Sequence, residues 1–240
     1  GSSVVVHSTA SITRIGGTGI RFGADGNLDN SGTIEATAAI ESAFGGHSIL
    51  NSGTLTGAIS LGDGDQTLDN PGMLTGDITL GNGDDFVANT GTLTGDILAG
   101  EGDDTLATAG TFVGTADLGD GDDIFRVADA SSVTGTVDGG DQDTADRVVL
   151  IGGLPGSFDL DSVSNFEELV LRSGPWTLRE TGDFSGGATV RAGATLVVDG
   201  SSLTGPNGAT TLNGDLLLED GSNLRASIDA SGDQGHLIVN

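Results

Sequence analysis

One four-residue turn recurs at a fixed interval of 19 residues: Gly62-Asp63-Gly64-Asp65, Gly81-Asn82-Gly83-Asp84, Gly100-Glu101-Gly102-Asp103 and Gly119-Asp120-Gly121-Asp122. A strict period makes each unit meet its neighbour in the same way, so it specifies a stack of equal coils. With 19 as the ruler, the apolar residues align in four rows. These are Leu55, Leu74, Leu93, Phe112; Ile59, Ile78, Ile97, Ala116; Leu61, Leu80, Ala99, Leu118; and Leu68, Val87, Leu106, Phe125. A unit this short, with three apolar runs, Gly-rich turns and no helical periodicity, is one coil of a parallel β-helix. Strands of successive coils then pair about 4.8 Å apart along the axis, and like side chains stack in the interior.

A second marker extends the array backwards: Asn30-Ser31-Gly32, Asn51-Ser52-Gly53, Asn70-Pro71-Gly72 and Asn89-Thr90-Gly91. Asn and Gly both accept positive φ, so Asn-x-Gly is expected to turn a corner between strands. The first step is 21 residues, and its two extra residues are expected in a loop near Gly45-Gly46-His47. Beyond Phe125 the period loosens, and the next turn reads Gly139-Gly140-Asp141-Gln142-Asp143. Strand-like runs continue at 147–151, 166–172, 176–179, 189–198, 211–218 and 224–228. The chain is therefore expected to be one continuous all-β solenoid of about 19 to 21 residues per coil. Residues 1–27 would form N-terminal coils or a cap, 28–150 the regular acidic repeats and 151–240 less regular coils. At about 20 residues per coil the whole chain would make roughly 12 coils.

Charge narrows the partners. The formal net charge is -27, there is no lysine, and residues 22–125 hold 18 Asp and Glu with no arginine. Such a surface repels phosphate backbones and acidic lipid headgroups, which argues against nucleic acid and against direct binding to anionic membranes. Cations are its natural counterpart. The chain has no cysteine, which suits a protein threaded unfolded across an outer membrane.

The Asn-Ser-Gly-Thr-Ile/Leu corners and Leu-Thr-Gly-Asp-Ile strands resemble passenger domains of Gram-negative autotransporters. So do the later phrases Asn165-Phe166-Glu167-Glu168-Leu169, Gly174-Pro175-Trp176-Thr177-Leu178 and Ala192-Gly193-Ala194-Thr195-Leu196. The resemblance spans roughly residues 28 to 240. It implies a right-handed β-helix, exported by a C-terminal β-barrel translocator of the full-length chain and displayed outside the cell. Such domains serve as adhesins, aggregation factors or stalks, so the expected partner is a cell surface or a second copy. A serine-protease passenger would add a globular domain with a Gly-Asp-Ser-Gly nucleophile motif, which this sequence does not contain, so a non-enzymatic role is expected.

Residues 99–106, Ala-Gly-Glu-Gly-Asp-Asp-Thr-Leu, also resemble the RTX calcium nonapeptide Gly-Gly-x-Gly-x-Asp-x-Leu, as do 80–87 and 118–125. The resemblance maps the ion-binding aspartate onto Asp85, Asp104 and Asp123, with Asp84, Asp103 and Asp122 beside them. It departs at the first glycine, replaced by Leu80, Ala99 and Leu118, and at Gln66, which takes the aspartate position of the first copy. Stacked carboxylates about 4.8 Å apart repel by roughly 0.9 kcal/mol per pair in water and about 3.5 kcal/mol at an effective dielectric of 20. A bound calcium ion would reverse that sign. Equally, Asp and Gly form turns without any ion, their side chains outward and hydrated. A calcium-dependent RTX-like secreted or surface-layer protein is thus one alternative to the passenger reading, and a polysaccharide-acting β-helix enzyme is the other.

Many enzymes acting on polysaccharides use this fold, and they need an acid or base in a groove that grips sugar. The chain offers no tyrosine or lysine, and Trp176 is its sole tryptophan. Arg126 beside Asp122 and Asp123 is the one constellation resembling a calcium-and-arginine lyase site. His7, His47 and His236 are far apart in sequence and read as loop or surface residues, and Trp176 as a core residue.

Overall fold

The computed structural model describes residues 1–141, 144–198, 209–226 and 236–239. Gln142 and Asp143 of the last expected turn, and the end of the run at 224–228, lie outside the described residues. The fold is a parallel β-solenoid. A representative coil has three strands, Phe86–Asn89, Thr92–Thr94 and Ile97–Glu101. Each pairs in parallel with its equivalents 19 residues before and after: Val87 with Leu68 and Leu106, Leu93 with Leu74 and Phe112, Ile97 with Ile78 and Ala116.

One face of the rod is an eleven-stranded sheet running from Ser2–Val6 to Leu216–Leu218. At about 4.8 Å per rung this face is about 50 Å long. The other two faces form a twelve-stranded sheet. The early coils use one long strand there, as in Thr33–Glu41, and the later coils break it at glycines into two short ones. A four-stranded and a three-stranded sheet complete the C-terminal coils. The expected runs 189–198 and 211–218 each divide there, into Gly187–Val190 with Ala194–Val198 and Ala209–Asn213 with Leu216–Leu218.

All four apolar rows face inward and are buried. Each fully buried Leu, Ile, Val or Phe contributes about 1.5 to 3 kcal/mol relative to an exposed one, and one such side chain per row per coil makes a continuous core. Volume is balanced along it: Phe112 and Phe125 enter the coil where Ala116 follows Ile97, as close packing requires. Trp176 is also in the core, with its indole N–H donating to the Ser173 carbonyl at 3.0 Å.

Two expectations are corrected. The extra residues of the 21-residue step are not in the loop at 45–47; the register between Thr33–Glu41 and Thr54–Ser60 slips between Glu35 and Ile40. The strand absorbs them as a bulge. His47 then lies in strand His47–Asn51, 2% exposed, with its ring stacked on Phe22 at 5.4 Å, instead of in a surface loop. The Asn-x-Gly corners do not use positive φ either, since Asn165 and Glu180 are the non-glycine residues with positive φ among those described. Gly91 is needed for close approach: a Cβ there would lie 2.1 Å from the Gly72 carbonyl oxygen of the preceding coil. Gly102 carries both demands, with φ +130° and a Cβ that would lie 2.3 Å from the Gly83 oxygen.

Candidate functional site: a buried carboxylate column

The strand that follows each acidic turn alternates outward and inward, and this parity separates the paired aspartates. Asp84 and Asp103 point outward and are exposed, Asp122 is half-buried, and Asp85, Asp104 and Asp123 point inward. The inner residues are 3%, 2% and 0% exposed, and they stack in one column with Gln66 before them and Asp146 after. Each inner Oδ1 accepts the backbone N–H of the residue one coil earlier. Gln66 N–H donates to Asp85 at 2.6 Å, Asp85 N–H to Asp104, Asp104 N–H to Asp123 and Asp123 N–H to Asp146, the last three at 2.7 Å. His47 N–H opens the series on Gln66 Oε1 and Asp146 N–H closes it on Glu167 Oε2, both at 2.9 Å. The column therefore satisfies main-chain donors that the start of each strand would otherwise bury unpaired.

The second oxygens behave differently. Oδ2 of Asp85, Asp104, Asp123 and Asp146 is buried with no hydrogen-bond donor. Gln66 marks what this position calls for: its Nε2 donates to the carbonyls of Gly45, Gly62 and Gly64 at 3.0, 2.8 and 2.7 Å. By the 19-residue register the matching carbonyls are those of Gly64, Gly81 and Gly83 for Asp85, and of Gly83, Gly100 and Gly102 for Asp104. Where the first coil supplies a donor, the next four supply another acceptor. Between Asp85 and Asp104 there is a cavity of about 10 Å³ walled by Leu80, Val87, Ala99 and Leu106. That is the lower limit for one water, and apart from Asp85, Asp104 and Thr105 its lining is apolar.

Burial pushes these carboxyls up the pH scale, Asp85 to about 7, Asp104 to about 8, Asp123 to about 7 and Asp146 to about 6. The backbone N–H bonds oppose the shift and the neighbouring carboxylates add to it. A buried Oδ2 is thus provided for in two ways: by a proton, which makes it a donor, or by a cation shared with the turn carbonyls. The donors are hard oxygens alone, the set that suits calcium. Among the described residues no three His, Cys, Asp or Glu side chains gather to hold a metal. An ion here would rest on one inner Oδ2 and main-chain oxygens.

The outer column does other work. Asp65, Asp84 and Asp103 accept the N–H of Asp84, Asp103 and Asp122 at 3.2, 3.0 and 3.0 Å, and Asp122 accepts that of Thr144 at 2.5 Å. The six aspartates grouped by the sequence motif are therefore two columns on opposite sides of the backbone. Arg126 lies on the outer face, whereas Asp123 lies in the column, so the lyase-like constellation is split across the sheet.

A second buried polar column went unread in the sequence. The Nδ2 of Asn30 donates to Asn51 Oδ1 at 2.7 Å, Asn51 to Asn70 at 2.7 Å and Asn70 to Asn89 at 2.9 Å. The same nitrogens reach the carbonyls of Thr54, Met73 and Thr92 across the corner, and Asn89 Nδ2 reaches that of Thr111. The ladder stops at Thr108, whose buried Oγ1 has no partner. The repeated Asn was the available signal, because a turn residue has no need to recur as the same amide in every coil. No family model matches the chain, and neither a curated protein nor a solved structure matches it.

Proposed function

We propose that this chain is a surface-displayed, non-enzymatic β-solenoid of the autotransporter-passenger kind, acting as an adhesive, aggregating or spacing stalk. The observation that carries this reading is the unbroken parallel ladder of eleven rungs on one face. A rod whose every coil hydrogen-bonds to the next transmits position along its length and holds whatever it bears away from its anchor. In the full-length protein a β-barrel translocator would export it, and its partner would be a cell surface or a second copy. The test is protease and antibody accessibility on intact cells expressing the full gene, with cell settling as the readout of aggregation. Accessibility with reach-dependent adhesion or settling supports the reading; a chain protected until the cells are opened overturns it.

The orphaned inner oxygens favour a second element, calcium in the acidic turns, held by Oδ2 of Asp85, Asp104 and Asp123 with glycine carbonyls. When bound, the ion would supply positive charge between stacked carboxylates, so that coils pack without protons. Extracellular calcium sites have dissociation constants of about 0.1 to 1 mM. Thermal melts in EDTA, in magnesium and across that calcium range test it. A calcium-selective rise is expected; an equal rise with magnesium, or none, removes the ion from the reading.

A further inference from the structure

Four of the chain's arginines line one groove on the outside of the eleven-stranded sheet, in a protein otherwise dominated by carboxylates. Arg126, Arg147, Arg172 and Arg191 frame a space of about 580 Å³, within the usual range for small-ligand sites. Its floor is Val149 and Val170, outward-facing neighbours in adjacent coils that are nevertheless only 6% and 8% exposed. Two of the cations are neutralised, Arg147 by Glu168 at 2.6 Å and Arg191 by Glu219 at 2.5 Å. Arg126 and Arg172 have no side-chain hydrogen bond or ion pair among the described residues, and the Nε of Arg126 is shut off from solvent without a partner. A buried N–H left unmade is costly, and here it belongs to a fork shaped for a carboxylate.

We propose that this groove binds a small organic carboxylate, its oxygens on the guanidinium of Arg126 or Arg172 and its body along Val149 and Val170. The formal charge of -27 selects for compactness. A polyanion or a doubly charged phosphate is repelled by the surrounding field more strongly than a single carboxylate. A bidentate guanidinium contact supplies the orientation. The body attached to the carboxylate is either hydroxylated, as in a sugar acid, or aliphatic, as in a short fatty acid.

Protein-observed NMR titrations with glucuronate against glucose, and hexanoate against hexanamide, separate these sources. At least one carboxylate should give saturable shifts that its neutral counterpart does not, and the arm that responds names the body. Arg126→Gln and Arg172→Gln should each weaken that binding about tenfold or more, with Arg126→Lys intermediate because it keeps charge but loses the fork. Arg14→Gln, an exposed arginine far along the chain, should leave it unchanged, and a melt of each variant checks its fold. Binding of neither carboxylate, equal binding of the neutral compounds, equal or tighter binding of inorganic phosphate, or indifference to both Arg→Gln changes would overturn the proposal.

Discussion

Gln66 and Asp85 occupy the same position in successive coils, yet Nε2 of Gln66 donates to three glycine carbonyls while Oδ2 of Asp85 meets no donor. The column therefore begins with a rung satisfied at every pH and continues with rungs whose satisfaction depends on a proton or an ion. Stability becomes a report on what occupies those rungs.

Without metal, the fold should weaken as pH rises. An unfolded Asp titrates near 3.9, whereas Asp85, Asp104 and Asp123 titrate at about 7, 8 and 7 in the fold. Between these values the native state holds more protons than the unfolded chain, so stability falls with pH. The contribution is complete below about pH 4 and is lost progressively as pH rises from there through about 8. Melting temperature in EDTA should drop by about 5 °C or more from pH 5 to pH 8, then level off. A melting temperature flat over that range would mean these carboxyls stay ionised or fully solvated.

Asp104→Asn and Asp104→Ala should part company. Asn keeps the Oδ1 that accepts from Asp85 and places an amide nitrogen where the orphaned oxygen stood, as Gln66 does. At pH 8 in EDTA it should stabilise by about 1 to 2 kcal/mol, and at pH 5, where the neutral acid already donates, by almost nothing. Ala removes the acceptor and leaves a buried N–H, so it should cost about 2 to 3 kcal/mol at both pH values. Denaturant melts at the two pH values measure both differences.

These two outcomes bear on what was legible in the sequence. The rows of Leu55, Ile59, Leu61 and Leu68 could be read in register because an inward apolar residue must repeat once its coil repeats. The acidic motif announced the turns but not the fate of its side chains. Adjacent aspartates such as Asp84 and Asp85 differ only in strand parity, and parity depends on where the turn ends. The bulge between Glu35 and Ile40 was hidden for a related reason: the length of a step shows that residues are inserted, not whether a strand or a loop takes them up. The groove joins arginines from four coils of unequal length, so no fixed period points to it.

The asparagine ladder should be extendable and breakable. Thr108→Asn places an amide above Asn89, where the ladder now ends on an unpartnered hydroxyl, and should stabilise by about 1 kcal/mol. Asn70→Ala leaves one N–H of Asn51 Nδ2 and the Oδ1 of Asn89 without their ladder partner inside the rod, and should cost about 2 to 4 kcal/mol. Chemical denaturation of both variants against the parent gives the sign and size. A destabilising Thr108→Asn would mean that the coil beyond Asn89 has no room for the longer amide.

Calcium and protons compete for the same oxygen if the inner column is the ion site, and this distinguishes it from the outer one. At pH 7 Oδ2 of Asp104, which titrates at about 8, is mostly protonated in the ion-free fold. Binding must expel that proton, because a carboxylate ligates only when deprotonated. Calorimetric titration at pH 7 in two buffers of different ionisation enthalpy should give roughly 0.5 to 1 proton released per ion, falling toward zero near pH 9. The triple change of Asp85, Asp104 and Asp123 to Asn should abolish both the release and the calcium-dependent rise in melting temperature. Binding without proton release would remove the ion from the inner column.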